Sequence, residues 1–290
     1  MKNCLWEVIN NKNSLSKALA EEAAVQIRFG KTKKPNVIWI EATGCSGNTI
    51  SLMNADYPDL IYLLDNMINL KFSNSLMVCD GERAFESFLK TLKEDFILVV
   101  EGAVSTKEDG LFNIIANYKG NKITAYDAIK MAGAKAKSII AVGTCASFGG
   151  VSKAYPNPSE AKSVKEVLQK DVINLPGCPS HPEWIIGTLA YIITNEKIEV
   201  DDLGRPLLFY GFTIHDFCER RVYFNNRIFA KNIGEPWCMF KLGCRGPVTK
   251  TDCPKRRWNN KVNWPIGDNT PCIGCANAYF PDGMEPFIRL

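Results

Sequence analysis

The residues able to do chemistry crowd into the last quarter of this 290-residue chain. Between positions 215 and 275 come His215-Asp-Phe-Cys218, Trp237-Cys238, Cys244, Cys253-Pro254 and Cys272-Ile-Gly-Cys275, which hold six of the eleven cysteines and one of the two histidines. Thiolate and imidazole are ligands that zinc and iron favour. Gly, Pro and Trp alternate with them and no long amphipathic period appears, so the segment cannot bury much of a core without a covalent or metal staple. One zinc would take four of the seven ligands and strand three, and two zincs would need eight. Seven divides as four plus three, the needs of a cubane four-iron cluster and of a cuboidal three-iron cluster. A His can stand in for a Cys on iron, raising the potential. His215 and Cys218, three positions apart, can share one face of a helical turn.

Three more cysteines need elements to position them. From Asn36 the pattern is α/β. Apolar runs at Val37–Ile40, Leu76–Val78, Phe96–Val100, Ser138–Val142 and Val172–Leu175 alternate with helical patterns at 49–54, 83–93, 124–135 and 162–170. Strands and helices of this length in alternation predict a doubly wound parallel sheet, its strands continuously apolar because both faces are covered. Cys45 follows the first strand in Thr43-Gly-Cys-Ser-Gly-Asn48. Cys145 follows the fourth in Gly143-Thr-Cys-Ala-Ser-Phe-Gly149, and Cys178 the fifth in Pro176-Gly-Cys-Pro179. Ligands of open α/β sheets bind beyond the carboxyl ends of strands, so these three should converge there. Neither a G-x-G-x-x-G nor a G-x-x-x-x-G-K motif is present, which argues against a nucleotide. Cys4 and Cys79 lack such a context and read as bystanders. His181 reads either as a hydrogen-bonding neighbour of the sheet-edge site or as a surface residue. Ahead of the sheet, 14–29 has a helical period with Ser14 as N-cap, and the basic 31–35 reads as a linker.

The starting residues do not read as a secretory signal, and no apolar stretch is long enough to span a bilayer. A cytoplasmic protein with no transmembrane anchor is therefore expected, where eleven cysteines mean metal or redox chemistry before disulfides. Residues 215–290 carry twelve Lys/Arg against seven Asp/Glu. The run Lys255-Arg-Arg-Trp258 reads as a solvated face, as cations offsetting anionic thiolate centres, or, with zinc staples, as a nucleic-acid patch; no nucleic-acid partner is expected. Three thiolate sites in one chain, without paired carboxylates or a hydrolase motif, suit an electron conduit. The bond-making step then falls to another protein.

These residues resemble the small, electron-transfer subunit of [NiFe] hydrogenases from Val37 to Cys275. The resemblance is carried by Cys45-Ser-Gly, Glu101-Gly102, Gly143-Thr-Cys145, Pro176-Gly-Cys-Pro179, His215-x-x-Cys218, Trp237-Cys238-x5-Cys244-x-Gly-Pro247, Cys253-Pro254, Asn263-Trp-Pro265 and Pro271-Cys-x-Gly-Cys275. It implies a flavodoxin-like domain over 36–212, after an extension at 1–35, and an irregular iron–sulfur domain over 213–290. It further implies a proximal cluster on Cys45, Cys145 and Cys178, a distal [4Fe-4S] cluster on His215, Cys218, Cys238 and Cys244, and a medial [3Fe-4S] cluster on Cys253, Cys272 and Cys275. The implied partners are the nickel–iron large subunit and a redox acceptor protein or quinone-linked carrier, with room for an oligomer of heterodimers.

The family's usual proximal loop is C-T-G-C. Setting Cys45 on its first cysteine gives Cys45-Ser-Gly-Asn48 and makes Asn48 the replaced ligand. Setting Cys45 on the second puts Ala42 at the first but takes Pro58 out of register. With Asn48 as the replacement, the proximal centre is a [3Fe-4S] cluster or a [4Fe-4S] cluster with one non-cysteine ligand. Losing a thiolate makes it less negative and raises its potential, favouring hydrogen oxidation. This loop resembles the cytoplasmic uptake and hydrogen-sensing types. The expected function is H2 uptake through three clusters, with a regulatory H2 sensor as the alternative.

Overall fold

Val37–Ile40, Phe96–Val100 and Ser138–Val142 are apolar without alternation, and each becomes a strand enclosed on both faces. A computed structural model describes residues 15–194 and 197–281. Its first compact unit, Leu15–Ile198, is built on five parallel strands. They are β1 (Asn36–Glu41), β2 (Asn69–Ser73), β3 (Phe96–Glu101), β4 (Ser138–Val142) and β5 (Ile173–Leu175), in the order β2-β1-β3-β4-β5. That is the flavodoxin-like order, with its switch point between β1 and β3. The mixed α/β class with a parallel central sheet is as the sequence implies.

Register decides what meets at the sheet's edge. Glu41 pairs with Glu101, Glu101 with Val142, and Val142 with Leu175, so four strands end in one row. Cys45, Cys145 and Cys178 each follow within a few residues of that row. On one face, Ile38, Ile40, Leu98 and Val100 pack against Phe85 and Phe88 of helix Gly81–Thr91 and against Ala128, Ile129 and Ala132 of helix Ala125–Gly133. Thr124 and Asp127 form a capping box that starts the latter helix.

Helix Leu15–Arg28 belongs to this unit. Ser16 Oγ donates to the Glu183 carbonyl (2.7 Å) and Thr32 Oγ1 to that of Ile193 (3.2 Å), which ties it and the following linker to helix Pro182–Ile193. Ser14, its expected cap, lies outside the described residues. Helix Pro182–Ile193 is apolar on nearly every side, so its period is invisible in sequence. The apolar run Leu76–Val78 is not a strand. The second strand is Asn69–Ser73, whose polar Asn69 and Lys71 hid it, whereas Val78 is fully exposed in the loop that follows.

The second unit begins at Glu199. It holds short turns joined by isolated bridges such as Thr213 with Lys250 and Phe229 with Cys238. Its buried apolar side chains include Phe209, Tyr210 and Trp264. An enclosed ion pair helps to tie it: Arg205 and Asp201 side chains are 6% and 11% exposed and meet at 2.7 Å. Burial pushes the Asp201 carboxyl up, but hydrogen bonds from the Arg205 guanidinium and backbone outweigh it and hold the group below the usual carboxylate range. No helix among the described residues is long and apolar enough to cross a membrane.

Removing one partner of such a pair strands the other. Asp201→Asn should cost about 3 kcal/mol near neutrality. Because the folded pKa is the lower one, this stabilisation is complete above the unfolded carboxylate pKa and fades as pH falls through the folded value. Denaturant titrations of the two proteins should therefore differ at pH 7 and converge in acid.

Candidate metal centres

Beyond the row of strand ends, three loops are laced together. The Thr144 amide donates to the Gly177 carbonyl, and the Gly177 amide to Thr144 Oγ1, each at 2.9 Å. Ser152 Oγ donates to the Thr43 carbonyl (2.9 Å) and lies 3.8 Å from Cys145 Sγ. A Cβ on Gly47 would sit 3.0 Å from Cys45 Sγ and 3.8 Å from the Pro179 ring, which follows Cys178; one on Gly150 would sit 2.9 Å from Cys145 Sγ. Both glycines clear room around sulfur. Cys45 and Cys178 are exposed and Cys145 is half-buried. Ile50, Met53, Tyr57, Val151 and Tyr155, close to them in sequence, are also exposed.

Asn48 does not offer its side chain to this edge. It is buried, its Oδ1 accepts from the Ser180 amide (2.8 Å), and its Nδ2 donates to Glu101 (3.1 Å). The Glu101 carboxylate, 1% exposed, also accepts from the Asn48 amide (2.7 Å), the Thr49 amide (2.9 Å) and Thr49 Oγ1 (2.6 Å). An amide held at both ends is a structural part of the sheet edge, not a free ligand. His181 accepts the Glu183 amide on Nδ1 (3.1 Å) and caps helix Pro182–Ile193, so it is a helix cap rather than a surface group.

In the second unit, Thr213 and Asp216 cap a 3-10 turn, Ile214–Phe217, that presents His215 and then Cys218. Cys238 and Cys244 bracket another such turn, Met239–Leu242, which Gly243 ends with φ 88°. His215, Cys218, Cys238 and Cys244 line one hollow with Ile214, Met239 and Phe240. Burial pushes the Cys218 and Cys238 thiols up, and the neighbouring Cys244 adds to both. Burial, then the Arg221 cation, lowers the His215 pKa, which leaves the neutral imidazole that a metal needs.

The remaining trio is more deeply buried. Burial pushes Cys253 up to about 12, with Cys275 acting the same way. Cys272 is pushed well above its ordinary value by burial and by Cys275, Cys244 and Cys253. Thr251 Oγ1 lies 3.2 Å from Cys253 Sγ, and the Gly274 amide donates to Cys272 Sγ at 3.4 Å. Cys272 thus feels both its own trio and Cys244 of the other set. Two buried thiols whose burial disfavours ionisation, with Cys275 beside them, suit a cationic body that takes them as thiolates. Among the described residues no three His, Cys, Asp or Glu groups close on a point as a single ion requires. A sulfur-rimmed hollow and a packed trio of thiols suit polynuclear clusters, so these donor sets fit the expected iron–sulfur groups.

The basic run 255–258 is spent internally. Lys255 stands over the Phe217 ring, Arg256 pairs with Asp252 and Arg257 with Glu219. Cys79 is exposed on the loop ahead of helix Gly81–Thr91, and Cys4 lies outside the described residues.

Comparison with known proteins decides the family. Residues 210–288 match the family described as the C-terminal part of the NiFe/NiFeSe hydrogenase small subunit, and 45–192 match NADH ubiquinone oxidoreductase, 20 Kd subunit. The Desulfomicrobium baculatum periplasmic [NiFeSe] hydrogenase small subunit is 38% identical over 275 residues, covering 88% of this chain and 87% of that one. The chain belongs to the NiFe hydrogenase small subunits. The Solidesulfovibrio fructosivorans periplasmic [NiFe] hydrogenase small subunit is 38% identical over 263 residues, covering 88% and 82%. The solved reduced, active form of the D. baculatum Ni-Fe-Se hydrogenase superposes with a TM-score of 0.83, covering 88% of this chain and 98% of that one. The small subunit is thus an electron-transfer component of an oxidoreductase and pairs with a hydrogenase large subunit.

These relatives overturn the expected cytoplasmic location and the likeness to cytoplasmic uptake and sensor types, because they are named periplasmic. The expectation rested on starting residues that do not read as a secretory signal and on the lack of a bilayer-length apolar run, and neither feature fixes a compartment.

Asn48→Ala removes the acceptor of a buried amide and should cost about 2 kcal/mol of stability. Iron content and cluster spectra per folded chain should stay unchanged. A changed spectrum at unchanged stability would instead make Asn48 a ligand.

Proposed function

We propose that this small subunit relays electrons from H2, oxidised on its large partner, through three iron–sulfur centres to an external acceptor. The observation that carries the reading is the Arg245 amide, next to Cys244, donating to the Cys272 carbonyl (2.7 Å), because adjoining ligand sets are what a relay needs. When bound, the clusters supply one-electron redox capacity. Cys45, Cys145 and Cys178 hold the proximal one, Cys253, Cys272 and Cys275 a medial [3Fe-4S], and His215, Cys218, Cys238 and Cys244 a distal [4Fe-4S]. His215 binds as a neutral imidazole. The Thr251 hydroxyl and Gly274 amide stand ready to donate to sulfur, which stabilises added charge and raises the potential. The exposed apolar side chains close in sequence to Cys45 and Cys145 suit cover by the large subunit. As with the relatives named periplasmic, the assembly acts outside the cytoplasm.

The proximal centre has three thiolates and, with Cys45 set on the first cysteine of C-T-G-C, Asn48 stands at the position of the family's fourth cysteine without itself binding iron. A cluster with one fewer thiolate is less negative and drives electrons away from hydrogen.

Spin-quantified EPR of the oxidised heterodimer, with iron and zinc assayed on the same sample, tests both the relay and its proximal centre. Iron without zinc and a medial [3Fe-4S] signal are expected; zinc in place of iron would overturn the assignment. In that register Asn48→Cys should lower the proximal potential and abolish any second [3Fe-4S] signal. Cys218→Ser should slow H2-dependent reduction of a protein acceptor while leaving hydrogen–deuterium exchange at the large subunit intact.

A further inference from the structure

The second unit carries a basic, aromatic face over the hollow of His215, Cys218, Cys238 and Cys244. Residues 215–245 contain six Lys/Arg and three Asp/Glu. Arg227, Lys231 and Lys241 are exposed, and each is tied to the hollow by the fold. Lys241 lies in the turn between Cys238 and Cys244 and stands 5.0 Å from the Phe229 ring centroid. Phe229 bridges to Cys238, whose carbonyl accepts the Ala230 amide at 2.9 Å, and Lys231 comes next. The Arg227 amide is held by the Phe224 carbonyl (3.0 Å), and the Phe224 ring packs on His215 at 4.6 Å and on Phe240 at 5.3 Å. Phe240 is 46% and Trp237 38% exposed.

The anions nearby are largely engaged. Asp216 accepts from the Thr213 amide and hydroxyl and lies 3.6 Å from Arg221, while Glu235 accepts from the Lys231 amide and from Asn232. Compensation of the cluster's charge needs cations close to sulfur. Arg220 already lines the hollow and anchors to the carbonyls of Glu235 and Trp237. Three solvent-exposed cations around exposed aromatic rings serve a different purpose. Apolar contact at the centre with like charges at the rim is the layout of a transient docking face, and the charges set which partners approach.

We propose that this face docks an acidic electron-carrier protein, steered by Arg227, Lys231 and Lys241. The inference rests on the relay proposed above. In the balanced reaction, H2 gives two protons and two electrons, and two carriers each take one electron, their ferric iron becoming ferrous.

The test uses the heterodimer with two one-electron haem proteins of opposite charge, acidic cytochrome b5 and basic cytochrome c. Methylene blue serves as a small acceptor. At low ionic strength the wild type should reduce cytochrome b5 with the lower KM, and salt should raise that KM. Arg227→Glu, Lys231→Glu and Lys241→Glu combined should raise it about tenfold and improve reduction of cytochrome c. Methylene blue turnover and the EPR of the His215 centre should not change. A KM for cytochrome b5 insensitive to salt and to charge reversal would overturn the proposal, as would wild-type preference for cytochrome c. Binding to phosphatidylglycerol vesicles that the triple variant loses, with unchanged cytochrome kinetics, would make the face a lipid contact instead. Absent H2-dependent methylene blue reduction in the wild type would count against the relay itself, separately from its docking face.

Discussion

A carboxylate removed from water must be met by donors, and Glu101 is met by four, all from Asn48 and Thr49. It ends the central strand β3, and its donors include two backbone amides in the first turn of helix Gly47–Met53. Such a turn has amides without helical partners and a dipole that favours negative charge. The loop of Cys45 is caught between that strand and that helix. Through the Asn48 amide the same contact reaches Ser180, and so the loop of Cys178. The first unit's thiol edge depends on this one buried charge and its donors.

The second unit has no sheet to impose order. Its turns are held by caps, an enclosed ion pair and aromatic packing, and the ligands sit where turns begin or end. Cys218 closes one 3-10 turn, Cys238 opens another, and Cys253 opens a short helix. A residue at a turn's end has a fixed backbone direction without a long element behind it. Several such ends can aim at one centre within a short stretch of chain.

Much of this was legible in sequence, for identifiable reasons. Continuous apolar strands announce a covered parallel sheet, and cysteines after Gly-rich strand ends announce what gathers there. Helix Pro182–Ile193 was hidden because it is apolar on all sides, and strand Asn69–Ser73 because polar residues interrupt it. The role of Asn48 was not legible at all. Nothing in the letters Ser-Gly-Asn shows that the amide is claimed by a carboxylate far along the chain. Location was misjudged because it was read from the lack of a secretory signal and of a bilayer-length apolar run, and an absence carries no address.

Cys253 and Cys272 are each only 8% exposed, walled in by the chain that they would help to stabilise. A body of several iron and sulfide ions does not diffuse through such a wall. The second unit therefore has to close around its cargo, and metal delivery and the last stage of folding become one event. A chain that missed delivery would be left with Cys253 and Cys272 buried as thiols and with no metal to take them.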